Sequence, residues 1–218
     1  MSNNKTILPV LEILSKKYNS SSKTTLNRMR TKPDPFKVLI ACLLSLRARD
    51  ENTEKVSAKL FEIADTPEKI LVLSDTKLKK LIFSSGHFNK KAATLKHVSK
   101  EILERFKNTV PKTREELLSI NGIGPKTANI VLAFAYGENV IPVDTHCHRI
   151  PNRLDWVKTK TAEKTEIELL KIIPKEYWQN FNAIFVQFGR DICVPISPKC
   201  SVCPIENFCP KIGVQKTR

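Results

Sequence analysis

Apolar residues recur at three- and four-residue spacing along almost the whole chain, as in Val38, Cys42, Leu43 and Leu46, or Val56, Leu60, Phe61 and Ala64, while period-two alternation is nearly absent. A period near 3.6 gathers such residues on one face of a helix, whereas a half-buried strand needs alternation, so the pattern confines the chain to an all-α fold. Helix starts are marked as well. Asp34-Pro35 and Thr66-Pro67 each set a capping residue before a proline suited to the first turn, and Thr113 with Glu116 makes a capping box. Gly86 and Gly137 follow apolar-periodic stretches as stops. These signals predict about ten or eleven helices.

A chain of 218 residues can bury one substantial core or two modest ones. No internal repeat is evident, and the polar stretch Asn19 to Thr25 is the linker of note. It suggests a crossing between two helical domains, one spanning residues 26–137 and the other built from 1–25 plus 138–218. The longest apolar runs, Val38 to Leu44 and Ile130 to Tyr136, fall far short of the roughly 20 residues that a membrane-spanning helix needs, so they read as buried helix and no membrane partner is expected. The first residues lack the basic start and long apolar stretch of a secretory signal, and an intracellular protein is expected. In that reducing setting six cysteines read as metal ligands or buried thiols rather than as disulfides.

Lys and Arg number 37 against 22 Asp and Glu, a net charge of +15. Such an excess points to a polyanionic partner, nucleic acid above all, against the plainer alternative of a well-solvated basic surface.

The segment Thr113 to Gly137 reads as a short helix, a tight hairpin Asn121-Gly122-Ile123-Gly124, and a second helix opening with Pro125. Two glycines one residue apart allow positive φ and close approach of another backbone. A hairpin placed before a helix N-terminus offers amides and a partial positive charge to a phosphate. Gly-x-Gly before a helix is by itself equally a plain connection. Lys126 is the second residue of that helix, where the dipole disfavours an ammonium and so favours a neutral, nucleophilic amine. A lysine there can also serve simply as a charge on a phosphate. Asp144 bears on the choice: the helix Pro125 to Tyr136 is about 18 Å long, and the next eight residues can extend about 27 Å, so the chain can return Asp144 to the start of the helix. Asp144 also precedes a predicted helix, Thr145 to Leu154, which it would cap while staying ionised.

Cys193, Cys200, Cys203 and Cys209 are separated by six, two and five residues, close enough to wrap one metal centre. The chemical candidates are a four-thiolate zinc site and a [4Fe–4S] cluster. Zinc more often uses two Cys-x-x-Cys pairs, which tilts the choice toward iron and sulfur. Cys42 and Cys147 lie in apolar helical contexts and read as buried thiols.

INGIGPKTAN, Ile120 to Asn129, together with VDTHCHRIPNR, Val143 to Arg153, resembles the endonuclease III family of helix-hairpin-helix DNA glycosylases. The resemblance extends over roughly Asp34 to Cys209 and includes the C-terminal cysteine spacing. It implies two domains flanking a DNA-binding cleft, a [4Fe–4S] cluster held by the four cysteines, Lys126 as the Schiff-base lysine and Asp144 as the catalytic carboxylate. The activity implied is that of a bifunctional base-excision-repair enzyme, acting as a monomer on double-stranded DNA with damaged bases, oxidised pyrimidines in particular, or abasic sites. Gly122 and Gly124 would contact the phosphate backbone, and so would Lys199, on a loop fixed by the cluster.

Two stretches depart from the family. In LIACLLSLRARD it usually carries a glutamine where this chain has Arg47, and in SGHFNKKA a leucine or aromatic near His87. Family residues there fill the gap left by the extruded nucleotide and touch the opposite strand. Arg47 and His87 are expected to do likewise, though His87 reads equally as a surface loop residue. Lys90 and Lys91 stand next to it as phosphate contacts, whereas Lys77, Lys79 and Lys80 read as a solvated helix face. The departures leave room for a mismatch or purine-lesion glycosylase on the same scaffold. A non-catalytic binder of damaged DNA is the alternative from another class.

Overall fold

Eleven α-helices and no strand occupy the residues that this computed structural model describes, 4–18, 29, 33–46, 48 and 50–218. The all-α expectation is met. The chain divides into two compact units, Met1–Ser21 with Asn139–Arg218, and Ser22–Glu138. The stretch 19–25, expected to be one crossing, lies outside the described residues.

Helix α1 (Ile7–Tyr18) belongs to the first unit. The second unit holds α2 (Pro35–Ser45), α3 (Asp50–Ile63), α4 (Pro67–Val72), α5 (Asp75–Ile82), α6 (Phe88–Arg105), α7 (Arg114–Ser119) and α8 (Pro125–Ala135). Its centre is α2 packed against α8 and α3, with α6 lying on α4 and α5. Both central helices are buried over most of their length. α2 buries Phe36 and every residue from Val38 to Leu44, and α8 buries Thr127 through Phe134.

Local chemistry starts these helices where the side chains allow it. Asp34 Oδ1 accepts the amides of Phe36 at 3.0 Å and Lys37 at 3.1 Å ahead of Pro35. Thr66 and Thr113 cap α4 and α7 in the same way through the amides of Lys69 and Glu116, each at 3.3 Å. Gly137 takes φ +72 just past α8, and the Glu138 amide donates to Leu132 O at 2.9 Å, closing that helix.

The first unit adds α9 (Thr145–Arg153), α10 (Ala162–Ile172) and α11 (Lys175–Asp191), followed by two 3-10 turns, Cys200–Val202 and Glu206–Phe208. Its core joins Ile7, Val10, Leu11 and Leu14 of α1 to Phe181, Phe185 and Phe188 of α11 and to Trp156. The Phe181 and Phe185 rings stack 4.0 Å apart, and Trp156 Nε1 donates to Thr6 Oγ1 at 3.0 Å. Truncating a ring this deeply buried costs about 3–5 kcal/mol, so the N-terminal helix is held firmly to the C-terminal part of the chain. No helix among the described residues is long and apolar enough to cross a membrane.

Candidate active site and cysteine centre

The hairpin between α7 and α8 turns on Gly122, whose φ of +101 is the region that favours glycine, and whose added Cβ would lie 2.8 Å from Thr94 Cγ2. Ile123 is buried and its amide donates to Ile120 O at 3.1 Å, pinning the turn to the core. Gly124 makes no use of the positive φ that a glycine allows. It is the N-cap of α8 at φ −93 with no side chain to cap the amides that follow, and a Cβ there would meet open space. One glycine is required by the turn; the other leaves the helix start open to an approaching group.

Lys126 is half-buried at the second position of α8. Beside it on α2, burial pushes the Cys42 thiol up, and the Lys126 charge pulls it back. Cys42 and Cys147 are both buried, as expected. Lys126 stands in the unit Ser22–Glu138 and Asp144 in the other. Asp144 is half-buried and is the N-cap of α9, its Oδ1 accepting the amides of His146 and Cys147, each at 2.9 Å. Asn182 of α11 supports it from behind: its Nδ2 donates to Pro142 O at 2.8 Å, two residues before the carboxylate. That buried asparagine was not legible as a site residue, because its partner is 40 positions away.

Gly86 (φ +69) and His87 (φ +49) form a tight exposed turn that leads into α6, with His87 in the left-handed region and its side chain making no capping hydrogen bond. The Phe83 and Phe88 rings meet 4.9 Å apart beside it, and Phe83 is 64% exposed. Arg47 lies outside the described residues. Lys90 is exposed, but the expectation for Lys91 is overturned. Its side chain is buried, with Nζ donating to Leu44 O and Ser85 O at 2.7 Å each, so it reaches no phosphate. Burial lowers its ammonium to about 8. A signal was present in the sequence, since Lys91 lies on the buried stripe with Leu95, Val98 and Ile102 of α6.

Cys193, Cys200, Cys203 and Cys209 line one pocket together with Ile150, Phe188 and Ile205, with the cations Arg153 and Lys211 at its wall. Among the described residues, no three His, Cys, Asp or Glu side chains are grouped as a single metal ion would need. A tetrahedral zinc ion, with its bonds of about 2.3 Å, would require sulfurs about 3.8 Å apart. Four thiols lining one pocket are the donor set that a [4Fe–4S] cluster takes. Burial first, then the neighbouring cysteines, raises the thiols of Cys200, Cys203 and Cys209, Cys203 to about 11. Arg153 supplies positive charge directly, its Nη1 donating to Cys193 Sγ at 3.3 Å. Lys199, half-buried, closes the loop from Val194, its amide donating to Ile192 O at 3.0 Å.

The model of the HhH-GPD superfamily of base excision DNA repair proteins matches residues 40–175. Endonuclease III of Thermotoga maritima is 46% identical over 182 residues, covering 84% of this chain and 85% of the relative. Endonuclease III of Escherichia coli is 37% identical over 201 residues, covering 91% and 93%. Among solved structures, a trapped endonuclease III–DNA covalent intermediate in an estranged-adenine complex superimposes with a TM-score of 0.87 at 31% identity over 97% of both chains. A thermostable thymine-DNA glycosylase shares the fold with a TM-score of 0.84 at 24% identity, covering 95% and 97%.

Proposed function

The chain belongs to the endonuclease III family within the HhH-GPD superfamily of base excision DNA repair proteins, and on that premise we propose that Lys126 and Asp144 carry out its chemistry. The enzyme is a DNA glycosylase and abasic-site lyase. A duplex shields the sugar carbon, so the damaged nucleotide must first leave the stack. Asp144, held by two amides, stabilises the developing positive charge on the sugar as the base departs. The amine of Lys126 attacks the same carbon, the bond from that carbon to the ring oxygen breaks as the oxygen takes up the amine's proton, and the resulting imine acidifies the neighbouring sugar proton. β-Elimination then expels the 3′ phosphate and leaves a nicked strand. The open N-terminus of α8 behind Gly124 receives a backbone phosphate, and Lys199 a second.

The four cysteines hold a [4Fe–4S] cluster, which when bound clamps the Val194 to Lys199 loop; iron and sulfide analysis of purified protein tests this, and a zinc-only preparation would refute it. The substrate is duplex DNA with an oxidised pyrimidine or an abasic site, met by a monomer inside the cell, with Arg47 and His87 against the opposite strand. An exposed His87 where relatives carry leucine or an aromatic favours, as second reading, a preference for mismatches or purine lesions. Single-lesion duplexes decide between them.

The observation that carries the proposal is a lysine at the open start of the hairpin's second helix, in a chain whose relatives include one trapped covalently on DNA. Borohydride reduction on abasic-site duplex is the test. A covalent adduct lost in Lys126→Ala supports the mechanism, and an adduct undiminished in that variant refutes it. No adduct with the native chain would favour a non-catalytic DNA binder.

A further inference from the structure

Lys91 is the buried cation that this chemistry leaves unused. The last turn of α2 exposes four carbonyls that the helix cannot satisfy by itself. Three find local partners: Cys42 O accepts from Ser45 Oγ at 2.7 Å, Leu43 O from the Leu46 amide at 3.4 Å, and Ser45 O from the Ala48 amide at 3.1 Å. The fourth, Leu44 O, accepts from Lys91 Nζ at 2.7 Å, 47 positions along the chain. The same Nζ reaches Ser85 O at 2.7 Å, and the Lys91 backbone amide donates to His87 O at 3.0 Å. One residue therefore holds the Gly86–His87 turn on both sides and joins it to the end of α2.

We propose that Lys91 is a positioning residue that ties the Gly86–His87 turn to the end of α2, so that His87 acts on duplex DNA from a rigid edge. The inference rests on the reading of His87 as a contact to the duplex. An ammonium at a helix C-terminus meets the negative end of the dipole, and its donors need no exposed partner, so the cation spans two main-chain segments where an apolar side chain would leave two buried carbonyls unsatisfied. The left-handed backbone of His87 makes such support necessary: a non-glycine residue at φ +49 keeps that geometry only when its surroundings impose it.

The test compares cleavage of an abasic site in duplex DNA and in a single-stranded oligonucleotide, under single-turnover conditions with the full chain. Both reactions use Lys126, but only the duplex has an opposite strand and a gap to fill. Lys91→Met is expected to slow the duplex reaction about tenfold while leaving the single-strand rate unchanged, because small displacements of a positioning group suffice for losses of that size. Lys91→Arg, which keeps the cation and several donors, is expected to restore most of the duplex rate. If Lys91→Met does not fold, Lys91→Gln serves, its amide able to reach a carbonyl without the charge, and the same selective loss is expected. A purely structural role would lower the melting temperature and reduce both rates in proportion, which would overturn the proposal. So would an unchanged ratio in folded Lys91→Met when His87→Ala lowers it. An unchanged ratio in both variants would instead remove the reading of the His87 turn as a duplex contact.

Discussion

Arg153 Nη1 donates to the Sγ of Cys193 at 3.3 Å, and the same guanidinium donates to Val194 O at 2.8 Å and Pro195 O at 2.6 Å. Arg153 is the last residue of α9, and Asp144 caps the first turn of that helix. The carboxylate proposed for catalysis and the loop proposed to carry the cluster are thus held at opposite ends of one nine-residue helix. The Arg153 bonds tie that loop to the helix that Asp144 caps.

Replacing Arg153 should expose that coupling. Arg153→Leu leaves two carbonyls and a thiolate without a donor, and a cost of about 3 kcal/mol is expected from losing charge-assisted hydrogen bonds in a buried setting. Arg153→Lys should recover only part of it, because a point charge cannot reproduce a planar fork. Urea denaturation, read beside iron content per chain, measures both effects. Full iron and unaltered stability in Arg153→Leu would show that the guanidinium does not support the centre.

The two roles of Asp144 separate by substitution. Asparagine keeps an acceptor oxygen for the amides of His146 and Cys147, so Asp144→Asn should fold with nearly native stability. Its glycosylase rate should nonetheless fall about 10²–10³-fold, since the negative charge facing the sugar is gone. Asp144→Ala should lose activity similarly and about 1 kcal/mol of stability besides, the usual cost of an absent cap. Melting temperatures measured beside single-turnover rates distinguish the outcomes, and an active Asp144→Asn enzyme would exclude the carboxylate from the chemistry.

Gly122 and Gly124 should respond oppositely. Alanine at Gly122 meets both φ +101 and a methyl group at 2.8 Å, so a loss of about 1–3 kcal/mol in stability is expected. Alanine at Gly124 meets open space at an ordinary φ, and stability should change by less than about 1 kcal/mol. The new methyl would stand where the phosphate is proposed to approach, and the loss of its charge-assisted bonds should weaken duplex binding about tenfold. Fluorescence anisotropy on a duplex with an uncleavable abasic analogue tests this, with native affinity in Gly124→Ala as the contrary outcome.

What could be read in advance was whatever a few neighbouring residues determine. Asp34-Pro35, Thr66-Pro67, the Thr113 cap and the hairpin Gly122 all act within four or five positions and appear where expected, although Glu116 of the expected capping box meets the Thr113 hydroxyl instead of its amide. Arg153 with Pro195, or Asn182 with Pro142, joins segments 42 and 40 positions apart, and no local spacing announces such a pair. Lys91 is the instructive case. Its charge suggested the surface, yet its place on the stripe of Leu95 and Val98 put it in the interior, and periodicity outweighed charge because two backbone carbonyls were waiting there.

That burial has a consequence for stability against pH. The Lys91 ammonium lies at about 8 in the folded protein because burial disfavours the charged form, against 10.5 for an ordinary lysine. Between those values the unfolded chain binds the proton and the folded chain does not, so stability rises with pH across the window. The contribution is fully present above 10.5 and is lost as pH falls through 8. Other groups titrate there too, among them Tyr136, which burial raises to about 12. They cancel when the native protein is compared with Lys91→Met at each pH. The difference in unfolding free energy, native minus variant, should therefore increase by about 3 kcal/mol from pH 7.5 to pH 10.5. A difference that stays flat over that range would mean that Lys91 keeps its proton in the interior, and that its two carbonyls stabilise the ammonium as well as water does.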